Sequence, residues 1–207
     1  MTQEPDQPTR GRVDLRKAAF SAFMDEFVAE SDRAAVVLGA AKIDALLCSV
    51  LDRHFIAHPG SEDDLLEGDS PLATFSARIK ICQRLGLVDS NFAKLLHLLR
   101  RLRNAFAHEV AHSSLSRGAA RDRVLMLAQP FAKADFFQGL LATVSSKANR
   151  TPDDASAIFR TVLAIFYIEL HSILDAAETI KPSGRDGIVE AIHKRQRPKR
   201  EDIAGEG

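Results

Sequence analysis

The residues best suited to chemistry in this sequence lie in one short run, RNAFAH, at positions 103–108. An arginine guanidinium is planar and binds phosphate through paired hydrogen bonds, and a histidine can move a proton near neutral pH. Together they suit cleavage of RNA, in which the arginine neutralises the scissile phosphate and the histidine takes the proton of a ribose 2′-hydroxyl. An asparagine between them would orient the phosphate or the histidine. Arg103, Asn104 and His108 are therefore the candidate catalytic residues.

The same residues also have a purely structural interpretation. On an ideal α-helix Arg103 and His108 point about 140° apart, because each residue advances about 100°. A joint site therefore requires a break in the helix or two protomers that face each other. Without either, we expect Arg103 to pair with an acidic residue on an adjacent helix. His108 would then end a helix, where the negative pole of the helix dipole stabilises a positive charge.

A zinc-like motif, H-E-x-x-H, overlaps this run at residues 108–112. In metalloproteases two histidines one helical turn apart bind zinc, and the glutamate activates a water molecule. The longer metzincin pattern fails here, because Leu115 and Gly118 stand where a glycine and a third histidine are required. No strand is predicted that would hold a substrate, and no later segment offers a third ligand. We therefore predict no metal and no other cofactor.

The two cysteines and His171 are predicted to be core residues, and His54 and His58 are predicted to be surface histidines. His54 and His58 lie one turn apart but have no carboxylate or cysteine at ligand spacing. Cys48 and Cys82 each fall in an apolar helical pattern, where a reduced cysteine packs as a small hydrophobic residue. His171 lies on an otherwise apolar helix, and we expect it to be a hydrogen-bonded core residue.

The candidate catalytic residues are carried by an amphipathic helix predicted over residues 89–112, with Asp89 as its N-terminal cap. Its apolar residues recur at helical spacing and form one face: Leu95, Leu98, Leu99, Leu102, Phe106 and Val110. Its polar residues fall on another face, where they are placed to line a groove: His97, Arg101, Asn104, His108 and His112.

Apolar residues at spacings of three and four predict further helices before this segment. One covers residues 14–30, and Ser31 is then placed to cap a longer helix that runs to about Phe55. In that longer helix Gly39 and two alanines allow a neighbouring helix to approach closely. Another helix is predicted to end at Gly86, which supplies a C-terminal stop.

The second half of the chain also follows helical spacing. A weaker pattern after the Ser/Gly-rich turn is broken by Pro130. The run TPDD at residues 151–154 then starts a very apolar helix, with Thr151 as the capping hydroxyl, and this helix is predicted to reach about Ile180. No segment alternates polar and apolar residues between hairpin turns. The predicted fold is therefore all-α, a single-domain multi-helix bundle without significant sheet.

The chain is predicted to form one domain with flexible ends. Its 207 residues are enough for one sizeable core. Residues 1–13 are predicted to be a disordered N-terminus, residues 14–181 the helical domain, and residues 182–207 a flexible basic tail. The tail contains basic residues that would attract nucleic-acid phosphates weakly and without sequence preference: Lys194, Arg195, Arg197, Lys199 and Arg200.

Charge and hydropathy argue against several classes of function. Lysine plus arginine and aspartate plus glutamate number 28 each, so no global field attracts nucleic acid or a membrane. The N-terminus lacks the apolar stretch of a secretory signal, and the longest apolar run, at residues 162–168, is far shorter than the about 20 residues of a membrane span. We expect a cytoplasmic protein without membrane contact. No basic recognition helix is present, so no specific reading of duplex DNA is predicted.

Two resemblances to known families start from the R-x4-H spacing. Preceded by LLRRL, this spacing resembles the signature of the HEPN superfamily, small helical proteins that are often dimers and in many members metal-independent ribonucleases. A wider resemblance covers about residues 31–110, where DRAAVVLGAAKIDALL, DSPLATFSARIKICQRLGL and LLRRLRNAFAHE occur in order. These segments are similar to the mannitol operon repressor family of all-helical bacterial proteins. That similarity implies a self-associating regulator that acts on transcription through a partner.

Two hypotheses about function therefore stand. The first is a helical regulatory or interaction protein of the mannitol operon repressor type, a homodimer that acts through a protein partner and not as an enzyme. The second is a HEPN-like, metal-independent ribonuclease or RNA-binding toxin component that uses Arg103, Asn104 and His108. A zinc hydrolase is the third and weakest.

Overall fold

The computed structural model describes residues 20–57, 65–108 and 114–181. Within these ranges the chain forms seven helices and no strand, which confirms the predicted all-α fold. The helices are α1 (residues 20–28), α2 (Asp32–His54), α3 (Phe75–Arg84), α4 (Ser90–His108), α5 (Gly118–Ala128), α6 (Asp135–Lys147) and α7 (Ala155–Ala176).

Two long helices, α2 and α7, pack against each other in the core. Helices α3 and α4 pack on α2, while α5 and α6 pack on α7, and α4 also contacts α5. At Gly39 the two central helices are so close that a Cβ atom there would overlap Cδ1 of Leu163. The prediction that this glycine permits close packing is confirmed.

The predicted starts of α2 and α4 are confirmed by their caps. The Ser31 hydroxyl accepts a hydrogen bond from Ala34 N at 3.2 Å. Asp89 Oδ1 accepts hydrogen bonds from Asn91 N at 2.6 Å and from Phe92 N at 2.9 Å. These bonds satisfy amide groups that have no partner inside the first turn, so they define where each helix begins.

Helix α7 is shorter than predicted at both ends. Its cap is Asp154 and not Thr151: the Asp154 side chain accepts a hydrogen bond from Ser156 N at 2.7 Å, and the helix begins at Ala155. At its other end the helix stops at Ala176, and the following chain is extended. There Ile180 N donates to the His54 carbonyl at 2.8 Å, a tertiary contact that draws the chain out of the helix.

A buried arginine joins α7 to the start of α2. Arg160 is 1% exposed, and its guanidinium donates to the Phe27 carbonyl at 2.8 Å and to the Glu30 carbonyl at 2.5 Å. It also donates to Ser156, and its Nη1 lies 3.6 Å from Asp32 Oδ1. The guanidinium thus supplies donors to carbonyls at the end of α1 that the helix itself leaves unsatisfied.

Asp32 extends this network to the segment after α4. Its Oδ1 accepts a hydrogen bond from the Ser156 hydroxyl at 2.5 Å, and its Oδ2 accepts one from Leu115 N at 2.9 Å. Three separate parts of the chain, residues 27–32, 115 and 156–160, therefore meet at one cluster. Apart from one charged residue, Arg160, in an apolar helix, no local pattern in the sequence indicates this network.

Helices α2 and α7 are long and apolar enough to cross a membrane by length and composition. Of the most apolar 18-residue stretch of each helix, 44% is buried inside the protein in α2 and 50% in α7. The core helix of a soluble protein meets the same criterion. The prediction of no membrane contact rested on an uninterrupted apolar run, and it stays a prediction.

Candidate functional site

The candidate residues lie on the second helix of an α3–α4 hairpin. Gly86 follows α3 with a φ of 74°, in the left-handed region that favours glycine, so the predicted C-terminal stop is confirmed. Helix α4 then continues without a break as far as His108. Its buried residues pack towards the neighbouring helices α2, α3 and α5: Ala93, Leu96, Leu98, Leu99, Leu102 and Phe106.

Arg103 is half-buried and acts electrostatically on α2. Burial raises the pKa of Asp44 in α2, and the hydrogen bond and charge of Arg78, together with the charge of Arg103, lower that pKa in part. Arg78 Nη1 donates to Asp44 Oδ1 at 2.9 Å, and its Nη2 donates to the Leu66 carbonyl at 2.7 Å. Among these effects on the pKa of Asp44, that of Arg103 is the smallest, so an acid of an adjacent helix lies near Arg103 but the direct pairing expected from the sequence is not present within the described residues.

His108 is exposed at the last residue of α4, whereas Asn104, one turn earlier, is half-buried. The preceding carbonyl, of Ala107, accepts a hydrogen bond from Arg33 Nη2 of α2 at 3.4 Å. Because α4 has no break, the helical geometry keeps Arg103 about 140° away from His108. The structure thus brings Asn104 and His108 onto one face and leaves Arg103 on another.

The polar face predicted for α4 is present as a stripe in which Arg101, not Arg103, accompanies Asn104 and His108. We define the basic stripe as Lys94, His97, Arg101, Asn104 and His108, which recur at intervals of three and four residues. Lys94, Arg101 and His108 are exposed, and the other two are half-buried.

The stripe lies in a positive environment. The pKa of His97 is lowered, first by burial and then by the charges of Arg100, Arg101 and Lys80. Residues 75–108 contain seven lysines and arginines against one aspartate, a net charge of +6. Residues 20–57 contain three against six acids, a net charge of −3. A chain that is neutral as a whole therefore carries a strongly basic α3–α4 hairpin.

A mostly apolar groove of about 820 Å³ opens between α4, α7 and the turn after α5. We define the groove by the apolar side chains that line it: Leu87, Val88, Phe92, Leu95, Met126, Pro130, Phe131, Ile165 and Ile173. Its polar wall consists of Asp89, Asn91, Lys94, Gln129 and Glu169. Met126 is 58% exposed, a large fraction for an apolar side chain. No local pattern in the sequence predicts this groove, because its residues come from distant segments.

The zinc-like motif is mostly outside the described residues, since only its first histidine, His108, is within them. His58 and the tail residues Lys194, Arg195, Arg197, Lys199 and Arg200 are also outside, as are the predicted N-terminal and C-terminal extensions. In the ranges that are described, no group of three or more histidine, cysteine, aspartate or glutamate side chains is placed to hold a metal ion.

Both cysteines are free thiols, and the core role predicted for them holds fully for Cys82. Cys82 is buried, and burial raises the pKa of its thiol to about 12. Cys48 is half-buried beside a separate open cleft of about 590 Å³, which Asp52, Glu67 and Arg78 also line. Burial raises the pKa of the Cys48 thiol as well. Both thiols are therefore protonated and weakly nucleophilic at neutral pH.

His171 is half-buried, with its ring centroid 4.3 Å from that of Tyr167. Tyr167 in turn stacks on Phe23, with ring centroids 4.2 Å apart. An aromatic contact between α7 and α1 thus accounts for the position of this histidine.

We expect replacement of Arg103 by methionine to raise the pKa of Asp44, because a positive charge that favours the carboxylate is removed. Arg78→Met should raise it further, since Arg78 also donates a hydrogen bond. Burial in the folded protein raises the pKa of Asp44 above its usual value of 3.8. The folded state therefore loses stability as the pH rises from that value through the raised pKa, because Asp44 then ionises in an unfavourable environment. The measurement is an NMR titration of the Asp44 carboxyl. Arg101→Met, on the opposite side of α4, is the control, and an unchanged pKa in Arg103→Met would refute the assignment.

Comparison of the chain with family models, with curated proteins and with solved structures gives no match.

Proposed function

We propose that this chain is a cytoplasmic helical regulatory protein of the mannitol operon repressor type, a homodimer that acts through a protein partner. The observation that supports this best is the apolar groove. An open groove with apolar side chains inside and polar side chains around it is a type of surface at which proteins bind partners. The groove is large enough to accept side chains from another protein, and it lies beside a polar stripe that would form the rim of an interface.

The arrangement of Arg103 also supports a regulator over a nuclease. A catalytic arginine must reach the scissile phosphate, but Arg103 is half-buried and its charge acts on Asp44. Arg103 is thus less available to a bound phosphate than a fully exposed arginine would be. We also propose that any binding to duplex DNA is weak and depends on the basic residues of segment 194–200.

Site-specific crosslinking in cells that produce this protein naturally tests the partner-dependent function. A photoreactive amino acid at Met126, in the groove, should form a specific adduct with a partner protein. The same amino acid at Arg117, an exposed residue that does not line the groove, should not. The partner must also copurify with the unmodified full chain and be lost with Met126→Asp. Absence of any protein adduct at Met126 or elsewhere on the chain would contradict the proposal.

A ribonuclease remains the second candidate, because one face of α4 presents Arg101, Asn104 and His108 together. We expect wild-type protein not to cleave RNA in the presence of a chelator. If it does, and folded His108→Ala loses about 10² to 10⁴ fold of the rate, positioned acid–base catalysis is present and the ribonuclease takes first place. Arg103→Ala and Arg101→Ala then decide which arginine contacts the phosphate. Circular dichroism shows whether each variant is folded.

A further inference from the structure

The basic stripe and the apolar groove meet at one residue. Lys94 lines the groove and also begins the stripe, three residues before His97 and seven before Arg101. Residues at these spacings lie on one side of a helix. A bound molecule that fills the groove and extends beyond Lys94 would therefore also contact the stripe.

The stripe has charge that the described residues do not neutralise. No ion pair joins Lys94, His97 or Arg101 to an acid in the part of the chain that the structure describes. Of the two acids in the groove wall, Asp89 caps α4 and Glu169 lies across the groove on α7. Charge complementarity thus calls for negative groups over the stripe.

The apolar groove distinguishes protein from RNA as the source of these negative groups. An RNA backbone has no apolar side chain to fill a groove lined by Phe92, Leu95 and Met126. Proteins that bind single-stranded nucleic acid usually offer aromatic platforms for base stacking. The five stripe residues include no phenylalanine, tyrosine or tryptophan, and the two phenylalanines of the groove, Phe92 and Phe131, are half-buried. An amphipathic peptide helix, in contrast, presents apolar anchors and charged side chains at matching intervals.

We propose that the groove and the basic stripe together bind an acidic amphipathic helix of a protein partner. Its apolar residues would enter the groove at helical spacing, and aspartates or glutamates beside them would face Lys94 and Arg101. This inference rests on the proposed partner-dependent function and names the chemistry of the partner. The groove would provide most of the binding affinity, and the stripe would orient the partner helix and select for acidic partners.

The test uses the full chain and a synthetic helical peptide of about 20 residues, with leucines on one face and glutamates flanking them. Fluorescence anisotropy should show binding that weakens as salt is added. The double variant Lys94→Glu/Arg101→Glu should bind about tenfold more weakly or worse, because like charges then face each other. Met126→Asp should also lose binding, because it places a charge in the apolar groove.

The matched control is Arg117→Glu/Arg121→Glu, which makes two charge reversals at exposed positions that do not line the groove. Arg121 is exposed and lies near Asp153, before α7 begins, whereas the groove uses Ile165, Glu169 and Ile173 of that helix. The affinity of this control variant for the acidic peptide should equal that of wild type. Equal loss in the control would refute a specific role for the stripe.

Two further probes decide against other ligands. A peptide with lysines in place of the glutamates, and one with serines in place of the leucines, should both fail to bind. A mixed-sequence RNA of similar length should not displace the acidic peptide. Displacement by RNA, or no binding of the acidic peptide, would overturn the inference. The crosslinking experiment reports on the proposed function separately, because a partner adduct outside the groove would leave that function standing.

Discussion

Replacement of Arg160 by methionine should lower the free energy of unfolding by about 3 to 5 kcal/mol, the range seen when one member of a buried ion pair is removed. Methionine keeps much of the volume but leaves the Phe27 and Glu30 carbonyls without their donors. It also leaves Asp32 without its positive partner, although Ser156 still donates to it. Urea denaturation of the full chain provides the measurement.

Controls separate this network from a general effect of losing an arginine. Arg121→Met, at an exposed position, should change the stability by no more than about 0.5 kcal/mol. Asp32→Asn in the Arg160→Met background should recover part of the loss, because the unpaired charge is removed. If Arg160→Met costs less than about 1 kcal/mol, the buried cluster does not hold α1, α2 and α7 together as described.

The second large effect is expected where α2 crosses α7. Leu163→Ala removes a fully buried side chain and should cost about 2 to 5 kcal/mol. Gly39→Ala should cost about 1 to 3 kcal/mol, because its new methyl group overlaps Leu163 and the core must shift. The double variant should be more stable than the sum predicts, since alanine at position 163 leaves room for that methyl group.

An internal control is available at a second helical glycine. Gly139 in α6 is exposed, and a Cβ atom there would meet nothing within 4 Å. Gly139→Ala should therefore stabilise the protein by up to about 1 kcal/mol, the difference in helix propensity. Opposite signs at Gly39 and Gly139 would show that packing decides the first case. A stabilising effect at both positions would mean that α2 and α7 are not in close contact at Gly39.

Local signals in the sequence predicted most of the helical organisation. Ser31 and Asp89 cap their helices as predicted, because a capping bond involves only residues two or three positions away. The start of α7 was misplaced because Thr151 and Asp154 are both good caps. Tertiary contacts favoured the later one, since Ser156 in its first turn must bond to Asp32.

The candidate site was only partly visible at the level of sequence. The polar stripe of α4 was predicted because helical periodicity places His97, Arg101 and His108 on one side. The positive net charge of the α3–α4 hairpin can also be counted from the sequence. It is not apparent from the whole chain, in which 28 basic and 28 acidic residues cancel. The preference for Arg103 as the phosphate-binding residue followed the motif spacing. Its involvement with Asp44 depends on how α2 packs against α4.

The sequence by itself determined the all-α class, the helix caps and the amphipathic face of α4, because each depends on interactions within a few residues or on helical period. Only the tertiary structure decided the apolar groove, the Arg160 cluster and which acid, Asp44 of α2, lies near Arg103. These features join segments as distant as Phe27 and Arg160, whose contact no local pattern encodes. Burial and the geometry of packed helices select them, since a buried charge must find its partners wherever the chain folds.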